Sequence, residues 1–442
     1  MLTAPAPDPG YDRGRVLCSV VTRCRVPSAP ASVTTIRPGA EVPPRKVGVD
    51  PGAVMRIWEA AERIYQSGIH PALALCVRHR GHVLLDRAIG HSHGNGPHDR
   101  PDGPKLLATP DTPFGMLSAT KAVTAMVIHL LDEWNRLRLD DPVCEYLPAF
   151  GVESKRWITI RHVLAHRAGL PNPPLEVMNL DLLEDPDRII EILGAMPLSS
   201  RPGRQLAYHA ISGGFILGEI VRRVTGGSIR AFHDEAIRRP LGLRWMRYGV
   251  DEADLPAIAT NYFTGFPVLP PVSMILRRAL GVDFERAVEL SNDPRFLCGV
   301  VPAASMVATA DELCRFYELL LRGGTLDGTR VFDRRTVRRA TSEQSYLEFD
   351  FTLGFPLRYG VGFMLGGDYL SFYGPDTSHA FGHLGFTNVV AWADPEREVS
   401  VAFMTSGKPL FHPALFWMWE MFRRIGATCP KLHPGGVSTI VR

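Results

Sequence analysis

Ser118 and Lys121 stand three residues apart in FGMLSATKAVTAMVIHLLDE, residues 114–133, and a serine and an amine at that spacing can form an activated nucleophile. The apolar spacing of the stretch predicts a helix. If it opens at Ser118, its first N–H groups lack partners and the positive end of its dipole lies at the hydroxyl, which favours a negative oxygen forming nearby. Positions i and i+3 share a helix face, so the Lys121 amine can reach the Ser118 hydroxyl. An amine whose pKa is lowered by burial can then act as base for a serine that is otherwise a weak nucleophile. Taken alone, SxxK is common, and an N-cap serine followed by a surface lysine is its more frequent meaning.

Other chemistry is less well supported. His91, His93 and His98 fall in GHSHGNGPHDRPDG, but their spacing and flanking carboxylates match no metal-ligand pattern, and a solvated loop is expected there. No glycine pattern that cradles phosphate follows a strand, so neither a cofactor nor a metal is expected. Lys plus Arg number 49 against 46 Asp plus Glu, a formal charge of +3 with no long basic run, which gives nucleic-acid binding no support. The seven cysteines are scattered, odd in number and without CxxC spacing, so reduced thiols in a cytoplasm are expected instead of a disulfide framework or a zinc site. The N-terminus has no basic segment followed by an apolar one, and no uninterrupted apolar run reaches about 18 residues. Neither a cleaved secretion signal nor a membrane span is therefore expected.

The elements that must position the serine follow from patterning over 442 residues, 45% of them hydrophobic, a composition able to bury a sizeable core. Residues 1–45, rich in Pro, Ala, Ser and Thr, read as a mobile tail or an arm draped over the domain. In DPGAVMRIWEAAERIYQSG, Asp50 can cap and Pro51 can open a helix with one apolar stripe. ALALCVRHRGHVLLDRAIG reads as an antiparallel hairpin turning at Arg-Gly. From Ser118 to about residue 300 the chain reads as mainly helical with Pro-rich breaks. Strand signals return in RYGVGFMLGG, AFGHLGF, NVVAWADP and EVSVAFMTS, and PALFWMWEMFRRIG has helical spacing. The expected organisation is a sheet domain from residues 46–115 and 300–430, with a helical lobe, 116–299, between them. Within that lobe, residues 259–290 fit either a lid over a cleft, or a face touching lipid, or a helical hairpin completing the core.

In order, the SATK segment, ITIRHVLAHRAGLPN, AYHAISGGFILGEIVRRVTG and AFGHLGFTNVVAWADPEREVSVAFMTS resemble the serine β-lactamase-like hydrolase superfamily, which takes in class C β-lactamases, penicillin-binding DD-peptidases and related esterases and lipases. The resemblance runs over about residues 50–425. It implies an α/β (α+β) fold: a central antiparallel sheet flanked by helices plus a mainly helical lobe, with the site between them. It implies further that Ser118 is acylated, that Lys121 assists its deprotonation, and that Tyr208 completes the acid/base set, its phenolate favoured beside a buried ammonium. His166 is expected to order a turn near the site. HLG, His383 to Gly385, stands where lactamases and DD-peptidases carry Lys-Thr-Gly. Gly385 would admit the acyl group, the backbone N–H groups of Ser118 and Phe386 would form an oxyanion hole, and His383 would contact substrate or tune nearby protons.

Two departures bear on substrate. Ala210 in YHA replaces an amide-bearing residue, and His383 replaces a lysine that favours an anionic carboxylate. Both point to a small neutral ester, and so to a carboxylesterase or lipase acting on short- or medium-chain esters through a Ser-Lys-Tyr acyl-enzyme, with peripheral lipid contact left open. The alternatives are a DD-peptidase, a weak β-lactamase, an acyltransferase of the same fold, or a non-catalytic ligand-binding relative.

Overall fold

The computed structural model describes residues 21–369, 371–386 and 388–432. Its main strands are β1 (Thr34–Ile36), β2 (Ala72–His79), β3 (His82–His93), β4 (Ser345–Phe349), β5 (Pro356–Tyr359), β6 (Met364–Leu365), β7 (Phe381–Gly385), β8 (Val389–Asp394) and β9 (Val399–Thr405). They pair antiparallel in the order β1-β3-β2-β9-β8-β7-β6-β5-β4, so the sheet is built from both ends of the chain, as expected. The principal helices are α1 (Pro51–Gln66), α2 (Thr120–Glu133), α3 (Ser212–Thr225), α4 (Val272–Leu280), α5 (Phe284–Leu290), α6 (Ala310–Leu321) and α7 (Ala414–Thr428).

The β2–β3 hairpin turns where the sequence placed it. Arg80 and Gly81 both take positive φ, 51° and 80°, the backbone that a two-residue hairpin loop matched to strand twist requires. Along β2 the side chains alternate in size: Leu73, Leu75 and Val77 join the cluster beneath α1 and α7, while Ala72, Ala74 and Cys76 join the one containing α6. Both faces are thus covered, which is why β8 and β9 are buried at every position and show no polar alternation. The small residues on the α6 side let that helix approach closely.

One pair of alternatives is decided, in favour of the draped arm, and two expectations are corrected. The described part of the arm, residues 21–45, is laid against the sheet: β1 adds an edge strand to β3, and Arg37 pairs with Asp86. Residues 1–20, with Cys18, lie outside the described residues. The segment expected as a solvated loop begins as strand, because β3 runs through His91 and His93 and pairs there with Leu106 and Leu107. The helical middle contains many short 3-10 turns, and its Arg247–Tyr248 joins Phe114–Gly115 and Met306–Ala308, both from outside 116–299, in a small three-stranded sheet. The six described cysteines are unpaired. No helix among the described residues is long and apolar enough to cross a membrane.

Residues 259–290 do two things. Tyr262–Phe263 pairs with Gly407–Lys408, and α5 packs there, burying Phe284 and Val288. By contrast α4 leaves Met274 and Ile275 exposed, at 67% and 52%.

Candidate active site

Ser118 lies in a 3-10 turn, Leu117–Ala119, and α2 begins two residues later at Thr120. No side chain caps α2, so the serine is not spent as an N-cap. The buried residue before it, Leu117, is held at φ 49°, a left-handed conformation that a branched side chain enters only where its surroundings fix it. Lys121 is not a surface residue. It is 9% exposed, with Nζ 2.9 Å from Ser118 Oγ and 3.2 Å from the Ala303 carbonyl oxygen. That carbonyl is brought close because α3 carries Gly214 at the crossing, where a Cβ would fall 2.5 Å from Ala303 N. Burial lowers the Lys121 ammonium to about 7, with no carboxylate contributing. Above that pH a neutral amine sits beside the hydroxyl.

Tyr208 reaches the same hydroxyl from the stretch ahead of α3, and Lys121 Nζ lies 4.9 Å from its ring centre. His166 shapes that stretch, at φ 58°: its carbonyl accepts the Ala207 N–H at 3.0 Å, its Nδ1 accepts the His209 N–H at 3.2 Å, and its ring lies 4.6 Å from that of Tyr208. The expected phenolate is corrected. Burial and, after it, the charge of Asp350 push the Tyr208 phenol above its ordinary value, and together they outweigh the Ser118 contact that lowers it. The phenol therefore stays protonated, and the lysine is the group poised to accept a proton.

The Ser118 turn packs on β7. Gly385 is required by that closeness, since a Cβ on it would fall 2.1 Å from the Met116 carbonyl oxygen. Gly385→Ala is expected to displace either β7 or the serine turn and to lower kcat on p-nitrophenyl esters by about a hundredfold, the scale of losing one oxyanion donor. The next residue, Phe386, has φ 52°, and its ring meets Phe284 edge-on at 5.0 Å. His383 is 1% exposed, with Nδ1 2.8 Å from the Leu384 carbonyl. A carbonyl only accepts, so Nδ1 carries the proton and Nε2 a lone pair. Burial holds the ring neutral, its pKa lowered to about 3. Its centre is 6.2 Å from that of Tyr208. Ala210 is buried.

The structure thus gathers Ser118, Lys121, Tyr208, His383 and Gly385 into one place, with Phe386 adjoining. It adds partners invisible to local patterning: the Ala303 carbonyl on Lys121, the Phe284 ring on Phe386, and Asp350, which accepts the Tyr208 N–H at 3.1 Å from 142 residues away. Chemically, a hydroxyl beside a neutral amine and a protonated phenol can add to a carbonyl and have its proton carried to a leaving group.

Comparison with known proteins places this geometry. The Beta-lactamase family profile matches residues 59–416. The chain is 30% identical over 335 residues to the esterase/beta-lactamase LipL of Mycobacterium tuberculosis, covering 72% of this chain and 75% of that protein. Among solved structures it is similar to a penicillin-binding protein homologue from Caulobacter crescentus, with 27% identity, a TM-score of 0.69, and 85% and 98% of the two chains covered. A family VIII carboxylesterase shares the fold, with 22% identity, a TM-score of 0.72 and the same coverage. With its SxxK serine and lysine in contact beside strand β7 of a large antiparallel sheet, the chain belongs to the Beta-lactamase family.

Proposed function

We propose that the protein is a carboxylesterase or lipase that cleaves short- or medium-chain neutral esters through an acyl-enzyme on Ser118. The observation that carries this reading is the buried contact between Lys121 and Ser118, in a site where burial also keeps His383 uncharged. Ser118 Oγ attacks the ester carbonyl carbon as its proton passes to Lys121. The oxyanion is held by the N–H groups of Ser118 and Phe386. When the C–O bond breaks, the alkoxide takes a proton delivered through Tyr208 from Lys121. Water, deprotonated by the same groups, then attacks the acyl carbon, the acid leaves and Ser118 is restored.

The substrate class follows from what lines the site. A β-lactam or a peptide terminus brings a carboxylate, and a neutral imidazole at position 383 offers it no charge where a lysine would. The Phe284–Phe386 contact makes an apolar wall beside the proposed oxyanion donor, and α4, the helix next to α5, leaves Met274 and Ile275 exposed, which suits a lid or peripheral lipid contact. Being similar to both an esterase/beta-lactamase and a penicillin-binding protein homologue, the chain has DD-peptidase or β-lactamase activity as its second reading. A p-nitrophenyl ester series of increasing acyl length, run beside nitrocefin and a D-Ala-D-Ala peptide, separates them. Ester turnover exceeding the other two by about a hundredfold or more is expected. Nitrocefin or peptide turnover above that of the esters would overturn the ester assignment.

A further inference from the structure

We infer that Asp350 is a positioning residue for the reaction, acting through Tyr208. The inference rests on the proposed role of Tyr208 and extends it to a residue on a separate hairpin. Asp350 lies just past β4, in the turn before β5, and is fully buried. Its Oδ1 accepts three backbone N–H groups: Thr352 at 2.8 Å, Leu353 at 3.0 Å and Tyr208 at 3.1 Å. The first two are local, the kind of bond an aspartate makes to shape its own turn. The third crosses from the hairpin to the helical lobe and takes hold of Tyr208's own backbone.

A second cross-link reinforces it. Phe351 N donates to the Leu206 carbonyl at 3.0 Å, so the turn grips both sides of Ala207. Arg167, next to His166, ties β4 to the same region by pairing with Glu348 and bonding Ser345 Oγ at 3.1 Å. The phenol is therefore held from two directions, by the His166 turn beneath its ring and by the Asp350 carboxylate at its backbone. Because that carboxylate lies in a dry environment, it also disfavours a negative charge on the phenol. It keeps Tyr208 a proton donor as well as keeping it in place. A displacement of about 1 Å in a proton-carrying group is enough to cost roughly a hundredfold in rate.

The test is a double-mutant cycle on ester turnover with the full chain, in the Tyr208 and Tyr208→Phe backgrounds. Asp350→Ala is expected to lower kcat by about tenfold to a hundredfold with KM within about twofold. Asp350→Asn, whose side-chain oxygen can still accept the three N–H groups, is expected to recover most of the loss. In the Tyr208→Phe background Asp350→Ala is expected to cost nothing more, because the hydroxyl it positions is gone. The same factor lost in both backgrounds, or an unchanged kcat in the first, would overturn the inference. If Asp350→Ala does not fold, Asp350→Glu, which keeps the charge but shifts the acceptor, carries the same cycle. A Ser118→Ala variant run alongside separates the two levels: if it retains full turnover, the acyl-enzyme reading has failed instead.

Discussion

Ser118→Ala is expected to lower kcat on a p-nitrophenyl ester by about ten-thousand-fold or more while leaving the melting temperature within a few degrees of the parent. The size follows from what the residue does: without its oxygen there is no covalent intermediate, and only general binding and oxyanion contacts remain to act on water. The small effect on stability follows from its setting. Ser118 caps no helix, its hydroxyl meets Lys121 and Tyr208, and its neighbours Leu117 and Ala119 supply the packing of the turn. Activity assayed with thermal unfolding checks both halves together.

The second large effect belongs to Lys121. Lys121→Met keeps an unbranched side chain of similar length in the buried slot but removes the amine, and a loss in kcat of about a hundredfold to ten-thousand-fold is expected for a general base. The pH profile identifies the group. The neutral amine is the active form, and burial places its pKa at about 7, so kcat/KM should rise with pH up to about 7 and level off above it. Below that pH the ammonium has no lone pair to take the serine proton. The neighbouring imidazoles do not produce this limb: burial drives His209 and His383 to about 3 and His166 well below its ordinary value. In Lys121→Met the limb should vanish with the amine. A limb near pH 7 that survives the substitution would assign it to another group.

The local part of the site was legible in the chain. A serine and a lysine three apart at the start of an apolar helix have to face each other, and the structure puts them 2.9 Å apart. Gly385 and Tyr208 were legible only through the resemblance of HLG and YHA to a family pattern, since neither residue type demands a role by itself. What stayed hidden was non-local. Nothing around Asp350 in LEFDFT marks it as the acceptor for an amide 142 residues earlier. Nothing around Ala303 marks its carbonyl as the second partner of the amine, 182 residues from Lys121. The charge state of Tyr208 is non-local too: the expected phenolate leans on a buried Lys121 ammonium, whereas burial, a property of the packed chain, lowers that ammonium to about 7 and raises the phenol above its ordinary value.

The sheet shows the same division. The β2–β3 turn was readable because Arg80 and Gly81 encode it locally, but the short β1 edge and the extension of β3 through His93 depend on partners elsewhere in the chain. In β8 and β9 polar alternation is missing because helices cover both faces, so their face assignment emerges only from the packing of α1, α6 and α7.

The most direct test of the central claim is intact-protein and peptide mass spectrometry on enzyme quenched during turnover of a p-nitrophenyl ester. An adduct of the acyl mass is predicted on the peptide containing Ser118, present in the parent protein and missing from Ser118→Ala. An adduct on another residue, or undiminished turnover in Ser118→Ala with no adduct at all, would contradict the account.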